Sequence, residues 1–136
     1  MLDAFSKYGF NGFDTTERPI DIDNHPEKAD GDFGYLGANL KTPWDNSYAF
    51  FNKIKSSGFD SLFFGHEHCN SASAVYEGIR FTYGLKSSTY DRANYRLPNG
   101  SIVISSDERG TPLVGGTYFR LAPDGQIGTI RNVYCL

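Results

Sequence analysis

A change of hydrophobic period at Gly58 constrains the fold more than any other feature of the sequence. In residues 43–57, apolar side chains recur at helical spacing, which predicts an amphipathic helix. Gly58 occupies the position of a left-handed C-terminal helix cap. Beyond it, residues 60–64 form a short apolar run that ends at Gly65, which predicts a buried strand. The sequence therefore predicts a helix that leads directly into a strand.

The remaining patterns predict further strands and one more short helix. An aromatic content of 15% and fifteen glycines favour pleated strands and turns. Strands are predicted at residues 74–77, 79–83, 102–104, 116–121 and 126–134. Gly78 joins the first two of these, and Asp124-Gly125 is a hairpin signal between the last two. Residues 1–10 predict a second helix, because apolar residues are spaced by three.

Residues 11–43 differ in composition from the rest of the chain. Asn, Asp, Gly, Thr and Pro dominate, and the apolar residues are scattered. We expect a long irregular loop region with at most a short strand, a kind of segment that is usually functional or disordered. A chain of 136 residues normally forms one domain, so residues 1–136 are expected to be a single unit.

The charge and hydropathy patterns exclude several functional classes. The formal net charge is -3 and no basic run is present, so nucleic-acid binding through a basic patch is not expected. No apolar stretch approaches the roughly 20 residues that a membrane-spanning helix needs. The two cysteines, Cys69 and Cys135, do not make a disulfide-rich scaffold, and their spacing allows either one bridge or two free thiols. Cellular location is therefore left unassigned.

The main chemical cluster is the segment Gly65-His66-Glu67-His68, directly after a predicted strand. Imidazole is the commonest metal ligand in proteins, and two histidines two residues apart can face one pocket. In α/β sheets, ligands bind beyond the carboxyl ends of strands, where this segment lies. A pair of surface histidines is the structural alternative.

Residues 61–95 resemble the last conserved block of calcineurin-like metallophosphoesterases, in the branch related to purple acid phosphatases. That block has an apolar strand, a Gly-His-x-His segment with an Asn two residues later, and two strands with Gly-Ile and Tyr-Gly. The matching residues here are Leu62–Phe64, Gly65, His66, His68, Asn70, Gly78, Ile79, Tyr83 and Gly84. The resemblance extends over roughly residues 39–95, because the preceding helix is also similar.

The resemblance implies a phosphatase or phosphodiesterase that hydrolyses phosphate esters at two metal ions (Fe, Mn or Zn). His66 would be a ligand of one ion and His68 of the other, and both would be catalytic. The implied fold is the α/β, β-rich C-terminal half of the four-layer α/β/β/α sandwich, with about two helices and six mostly antiparallel strands. By the same resemblance, Glu67 and Asn70 are candidates for hydrogen bonds that orient the ligands.

The other ligand motifs of that family are not found in these 136 residues. Asp23-Asn24-His25 is literally Asp-x-His, but it follows no convincing strand, so we interpret it as a chance match and His25 as a weak candidate ligand. We therefore expect a C-terminal portion of a larger domain that lacks most metal ligands and is poorly active alone. Surface exposed by such a truncation would favour self-association.

Two further interpretations compete with this one. A zinc site of His25, the histidine pair and Cys69 is conceivable, although no Cys-x-x-Cys motif supports it. A small β-rich binding module of the cupin type would use His66 and His68 with Glu77, or the domain would be non-catalytic and bind a partner. Tyr83 would line a substrate cleft or belong to the core.

Overall fold

The computed structural model describes residues 2–10, 20–36, 47–65, 70–87, 94–96, 102–104 and 114–134. The helices are α1 (Leu2–Ser6) and α2 (Ser47–Ser56). The strands are β1 (Ile20–Asp21), β2 (Tyr35–Leu36), β3 (Ser61–Phe64), β4 (Ser73–Tyr76), β5 (Ile79–Tyr83), β6 (Asn94–Arg96), β7 (Ile102–Ile104), β8 (Gly115–Leu121) and β9 (Ile127–Tyr134). Among these strands, β3 and β5 form a parallel pair and the other pairs are antiparallel. The prediction of a β-rich α/β protein with mostly antiparallel strands is confirmed.

The central sheet has three strands in the order β3-β5-β4. The β4–β5 hairpin turns at Glu77 and Gly78, whose φ angles are 46° and 81°. Positive φ at both central residues is typical of the type I′ turn, which matches the right-handed twist of the flanking strands. The predicted junction at Gly78 is therefore confirmed, and β5 is the central strand of the sheet.

The chain crosses the end of the central strand on its way from β3 to β4. These two strands lie on opposite sides of β5, and the connection between them leaves from the carboxyl end of β3. It spans two strand spacings, which is roughly 10 Å. This connection contains the Gly-His-Glu-His segment, which starts directly after β3 and precedes β4.

One face of the central sheet is covered by the two helices. Phe5 of α1 lies 6.1 Å from Tyr83 of β5, measured between ring centroids. Phe51 of α2 stacks on Phe81 of the same strand at 6.2 Å. Phe51 is the buried residue of the predicted amphipathic helix, and Gly58 has the φ of 78° expected of its cap. These aromatic side chains belong to the buried apolar core.

Residues 20–36 are more ordered than the prediction of an irregular loop region with at most a short strand. β1 and β2 pair with each other, and Ile22 and Leu36 are fully buried. Phe33 then forms an antiparallel bridge with Ser73 of β4. The prediction allowed at most one short strand and missed this pairing, because two-residue strands are too short to show periodicity and their partners lie far along the chain.

Two strand predictions need correction. β3 is not fully buried: Leu62 and Phe64 pack against the core, whereas Phe63 is exposed and its ring lies 4.8 Å from that of Phe119. The apolar run of the edge strand β3 therefore packs against the core with one face and contacts the β8–β9 hairpin with the other. β6 was not predicted, although it pairs with β7. The β8–β9 hairpin contains the predicted Asp124-Gly125 turn, and the ends of its strands are shifted slightly from the predicted positions.

No helix in the described ranges is long and apolar enough to span a membrane.

Candidate functional site

The residue that leads into the histidine segment lies at the carboxyl edge of two parallel strands. His66, Glu67, His68 and Cys69 are outside the described residues, as is Cys135. Gly65, which precedes the segment, follows the last residue of β3 directly. The neighbouring Phe64 carbonyl oxygen accepts a hydrogen bond from the Gly84 N–H at 2.9 Å, just beyond the end of β5. This edge is where ligands bind in open α/β sheets.

The chain that follows the segment is buried in the protein interior from Asn70 onwards. Asn70 is fully buried and forms an antiparallel bridge with Leu36. The next residue, Ser71, donates its N–H to the Tyr35 carbonyl oxygen at 2.9 Å. The Ala72 carbonyl oxygen accepts from the Tyr83 N–H at 2.8 Å, which returns the chain to the sheet. Asn70 follows His68 by two residues in the sequence, and its ligand-orienting role stays a prediction.

His25 is held by local contacts that compete with metal binding. Its Nδ1 accepts a hydrogen bond from the Glu27 N–H at 3.1 Å. A neutral imidazole that accepts at Nδ1 carries its proton on Nε2, so neither nitrogen offers a free lone pair in this arrangement. The ring also contacts Tyr8 edge-on, with 5.1 Å between centroids. These contacts favour a structural role for His25 in its turn.

Glu77, the carboxylate of the cupin-type alternative, lies at the opposite edge of the sheet. It occupies the β4–β5 turn, next to the start of β3, whereas the histidine segment follows the end of β3. Four residues of β3 separate the two edges by roughly 13 Å. The Glu77 carboxylate pairs with Lys55 Nζ at 2.7 Å, and this hydrogen bond lowers the pKa of Glu77. The arrangement does not favour a shared metal site with the histidines.

A buried carboxylate that the sequence analysis missed joins α1 to the central sheet. Asp32 is 1% exposed and lies 2.6 Å from Lys7 Nζ and 3.4 Å from Arg80 Nη1. It also accepts hydrogen bonds from the Tyr8 hydroxyl at 2.7 Å and the Val75 N–H at 3.2 Å. Two cations and two neutral donors satisfy this carboxylate, so it is a structural group.

The pKa values around Asp32 follow from burial and from the negative charge. Burial lowers the pKa of Lys7, but the hydrogen bond and the charge of Asp32 outweigh it, and the pKa is raised overall. Burial and the hydrogen bond to Asp32 both raise the pKa of Tyr8. Both groups therefore keep their protons at neutral pH, and Asp32 is not available as a metal ligand.

Within the described part of the chain, no group of three or more His, Cys, Asp or Glu side chains is placed to hold a metal ion. Tyr83, considered for a substrate cleft, belongs to the core. The histidine pair, which lies outside the described residues, stays a prediction for metal binding. Comparisons with protein-family models, with curated proteins and with solved structures found no match to this chain.

Proposed function

We propose that this chain takes part in metal-dependent hydrolysis of phosphate esters, with His66 and His68 as metal ligands. The observation that carries the proposal is the position of Gly65, the described residue directly before the histidine pair, at the carboxyl edge of the parallel strands β3 and β5. The resemblance of residues 61–95 to calcineurin-like metallophosphoesterases supports the same chemistry. The proposed fold is the C-terminal half of that family's four-layer sandwich, and the helices on one face of the central sheet support it.

The histidines fit two positions of a dinuclear site, but the described side chains do not complete it. Each metal ion needs about four to six ligands, several of them carboxylates. Asp32 is saturated by cations and donors, and Glu77 pairs with Lys55 at the other edge of the sheet. We therefore propose that further ligands come from outside the described ranges. Bound Fe, Mn or Zn would lower the pKa of a coordinated water and stabilise charge on the phosphoryl group.

Titration with metal tests the proposal directly. The purified chain is titrated with Zn²⁺ or Mn²⁺ against a chromogenic chelator, in wild type and in His66→Ala, His68→Ala and His25→Ala. We expect weak binding that each change in the pair reduces by at least about tenfold, because half of the two-histidine ligand set is removed. His25→Ala is the matched control and should leave the affinity within about twofold of wild type, since its imidazole is held in a turn.

Hydrolysis of a chromogenic phosphodiester supplies the second readout. We expect turnover close to background for the chain alone, because the ligand set is incomplete. Turnover near the enzyme median of about 10 s⁻¹, abolished by His66→Ala, would contradict the need for outside ligands. Equal metal affinity in wild type, His66→Ala and His68→Ala would overturn the metal-binding role itself. Self-association stays a prediction.

A further inference from the structure

The central sheet has one covered edge and one open edge. Beyond β4, Phe33 and Ser73 exchange two backbone hydrogen bonds, with N···O distances of 3.1 and 2.9 Å. At the other side of the sheet, β3 pairs only with β5 among the described strands. An open edge presents a row of free N–H and C=O groups to which another strand can pair. The sheet can therefore be extended at β3.

Alternate residues of β3 direct their backbone groups to the open side. The Phe64 carbonyl oxygen accepts a hydrogen bond from the Gly84 N–H, so the even-numbered residues face β5. Ser61, Phe63 and the adjoining Gly65 face the open side, and among the described residues their N–H and C=O groups have no hydrogen-bond partner. Phe63 and Gly65 are exposed, and a Cβ at Gly65 would meet no atom within 4 Å. A second strand thus has room to approach.

β3 lacks the features that usually protect an open edge. Native proteins place charged residues, prolines or β-bulges there. The strand Ser61–Phe64 contains neither a charged residue nor a proline, and its register with β5 is regular. Exposed apolar surface lies beside it, because the rings of Phe63 and Phe119 are in contact and remain 40% and 43% exposed. The edge is therefore suited to pairing with an apolar strand.

We propose that β3 pairs antiparallel with β3 of a second copy of this chain, across a two-fold axis at Phe63. In this register Phe63 lies opposite Phe63 of the second copy, and Ser61 lies opposite Gly65 of the second copy. Each opposed pair exchanges two N–H···O=C bonds. The free residues of one edge thus satisfy those of the other, and this self-complementarity is what a closed two-fold dimer requires.

The same register brings apolar side chains together on both faces of the extended sheet. Residues directly opposite each other in an antiparallel pair lie on the same face, so the two Phe63 rings become neighbours, each beside Phe119 of its own chain. On the other face, Leu62 lies opposite Phe64 of the second copy, and both are partly buried apolar residues. No like charges are opposed within β3.

The available area indicates a weak dimer. The exposed parts of Phe63 and Phe119, together with the edge backbone, amount to about 300 Å² per copy. A standard interface buries about 800 Å² per partner, and smaller ones are transient. We expect a dissociation constant of about 100 μM. The inference does not depend on the proposed function, because metal binding plays no part in the pairing.

Sedimentation velocity of the purified chain, from about 5 μM to about 1 mM, measures the dimer. Phe63→Lys places two like charges directly opposite each other and should raise the dissociation constant by at least about tenfold. Val133→Lys is the control, because Val133 is 48% exposed on the hairpin face opposite to Phe119. This change adds the same charge outside the interface and should leave the dissociation constant within about twofold of wild type.

A proline at Ser61 tests the backbone bonds. Ser61→Pro removes an N–H on the open side, and proline is tolerated as the first residue of a strand. Two hydrogen bonds per dimer are lost, so the dissociation constant should rise by at least about fivefold. Ser61→Ala retains the N–H and should stay within about twofold of wild type. If Phe63→Lys does not fold, as judged by circular dichroism, the comparison of Ser61→Pro with Ser61→Ala decides.

Cross-linking tests the register. Opposed hydrogen-bonded residues have Cα atoms about 5.5 Å apart, which a disulfide can span. With Cys69 and Cys135 replaced by serine, Phe63→Cys should form covalent dimers on mild oxidation, and Val133→Cys should not.

A chain that remains monomeric at about 1 mM would overturn the proposal. A dimer with an unchanged dissociation constant in folded Phe63→Lys and Ser61→Pro would assign the contact to another surface. Dimers that Phe63→Cys does not cross-link would overturn the antiparallel register. A monomeric chain that binds a short extended peptide at β3 would show that the edge serves a different partner.

Discussion

The central β3-β5-β4 sheet has short strands and buried side chains, whereas the β8–β9 hairpin has longer strands and exposed side chains. The strands of the sheet have only four or five residues, yet its core side chains, such as Phe81 and Tyr83, are buried. The hairpin strands have seven and eight residues, yet large side chains on them remain exposed, namely Tyr118, Phe119, Leu121 and Val133. The extent of backbone pairing therefore does not measure how much apolar surface a region buries, and burial dominates stability.

The two regions also differ in how they attach to the rest of the chain. Aromatic contacts with α1 and α2 cover the sheet, which makes it part of one core. The hairpin attaches through hydrogen bonds from the Leu85 N–H to Thr117 Oγ1 at 2.7 Å and from Asn132 Nδ2 to the Ser71 carbonyl oxygen at 2.7 Å. A bond from the Gly115 N–H to the Lys86 carbonyl oxygen at 2.8 Å and the Phe63–Phe119 ring pair add to this attachment. Substitutions in the sheet region should thus affect global stability, whereas those on the exposed hairpin faces should not.

The largest expected difference compares Phe5 of α1, which packs on the sheet, with Phe119 of the hairpin. Phe5→Ala removes a fully buried ring from the core and should lower the free energy of unfolding by about 4 kcal/mol. Phe119→Ala removes a ring that is 43% exposed and should cost about 1 kcal/mol. Guanidinium unfolding followed by fluorescence measures both. Equal losses would show that the hairpin belongs to the same core and would remove the contrast.

A second, smaller difference concerns charge inside and outside the core. Asp32→Asn removes the negative charge that compensates Lys7 and Arg80 and should destabilise the protein by about 3 kcal/mol. Asp23→Asn is the control, because Asp23 pairs with Lys28 at the exposed surface and should contribute less than about 1 kcal/mol. Urea unfolding at low and high salt checks this pair. If salt removed the Asp32 effect, the carboxylate would have to be more solvated than its burial indicates.

The smallest expected effect is a loss of stability at high pH, and it involves Tyr35 of β2. Burial, followed by the charges of Asp21, Tyr134 and Asp23, raises the pKa of Tyr35 to about 12. Between pH 10 and 12 the folded protein therefore keeps a proton that the unfolded chain releases, and stability falls as the pH rises. Because Tyr35 is only half-buried, we expect a loss of about 1 kcal/mol.

Unfolding curves recorded at pH 9 and pH 11.5 measure this loss. Tyr35→Phe should reduce it, whereas Tyr118→Phe, on an exposed face of the hairpin, should leave it as in wild type. A loss that is unchanged in Tyr35→Phe would assign the effect to other groups. Tyr134 is one of them, because burial also raises its pKa.

The sequence predicted the elements whose signals are local. The helix that ends before Gly58, the β4–β5 turn at Gly78 and the hairpin at Asp124-Gly125 all lie within a few residues of their predicted positions. Each depends on side-chain periodicity or turn chemistry over a short window. The position of Gly65 at the carboxyl end of a strand was predicted for the same reason.

The sequence did not predict contacts between distant segments. Asp32 and Arg80 are 48 residues apart, and Asn132 and Ser71 are 61 residues apart. No sequence motif marks either pair, because the residues around an Asp or Asn in a polar stretch do not show whether its side chain is exposed or buried. The strand order β3-β5-β4 could not be predicted from the sequence either, because no local signal shows which edge of the β4–β5 hairpin β3 joins.

The crossing from β3 to β4 over the end of β5 implies an order of assembly. β4 and β5 are joined by a two-residue turn, so their pairing closes a very short loop, and hairpins of this kind form in about 1–10 μs. β3 joins the opposite edge of β5, and this pairing brings together residues about 19 positions apart, which is slower than closing the hairpin turn. We therefore expect β3, with Gly65 at its carboxyl end, to dock after the β4–β5 hairpin has formed.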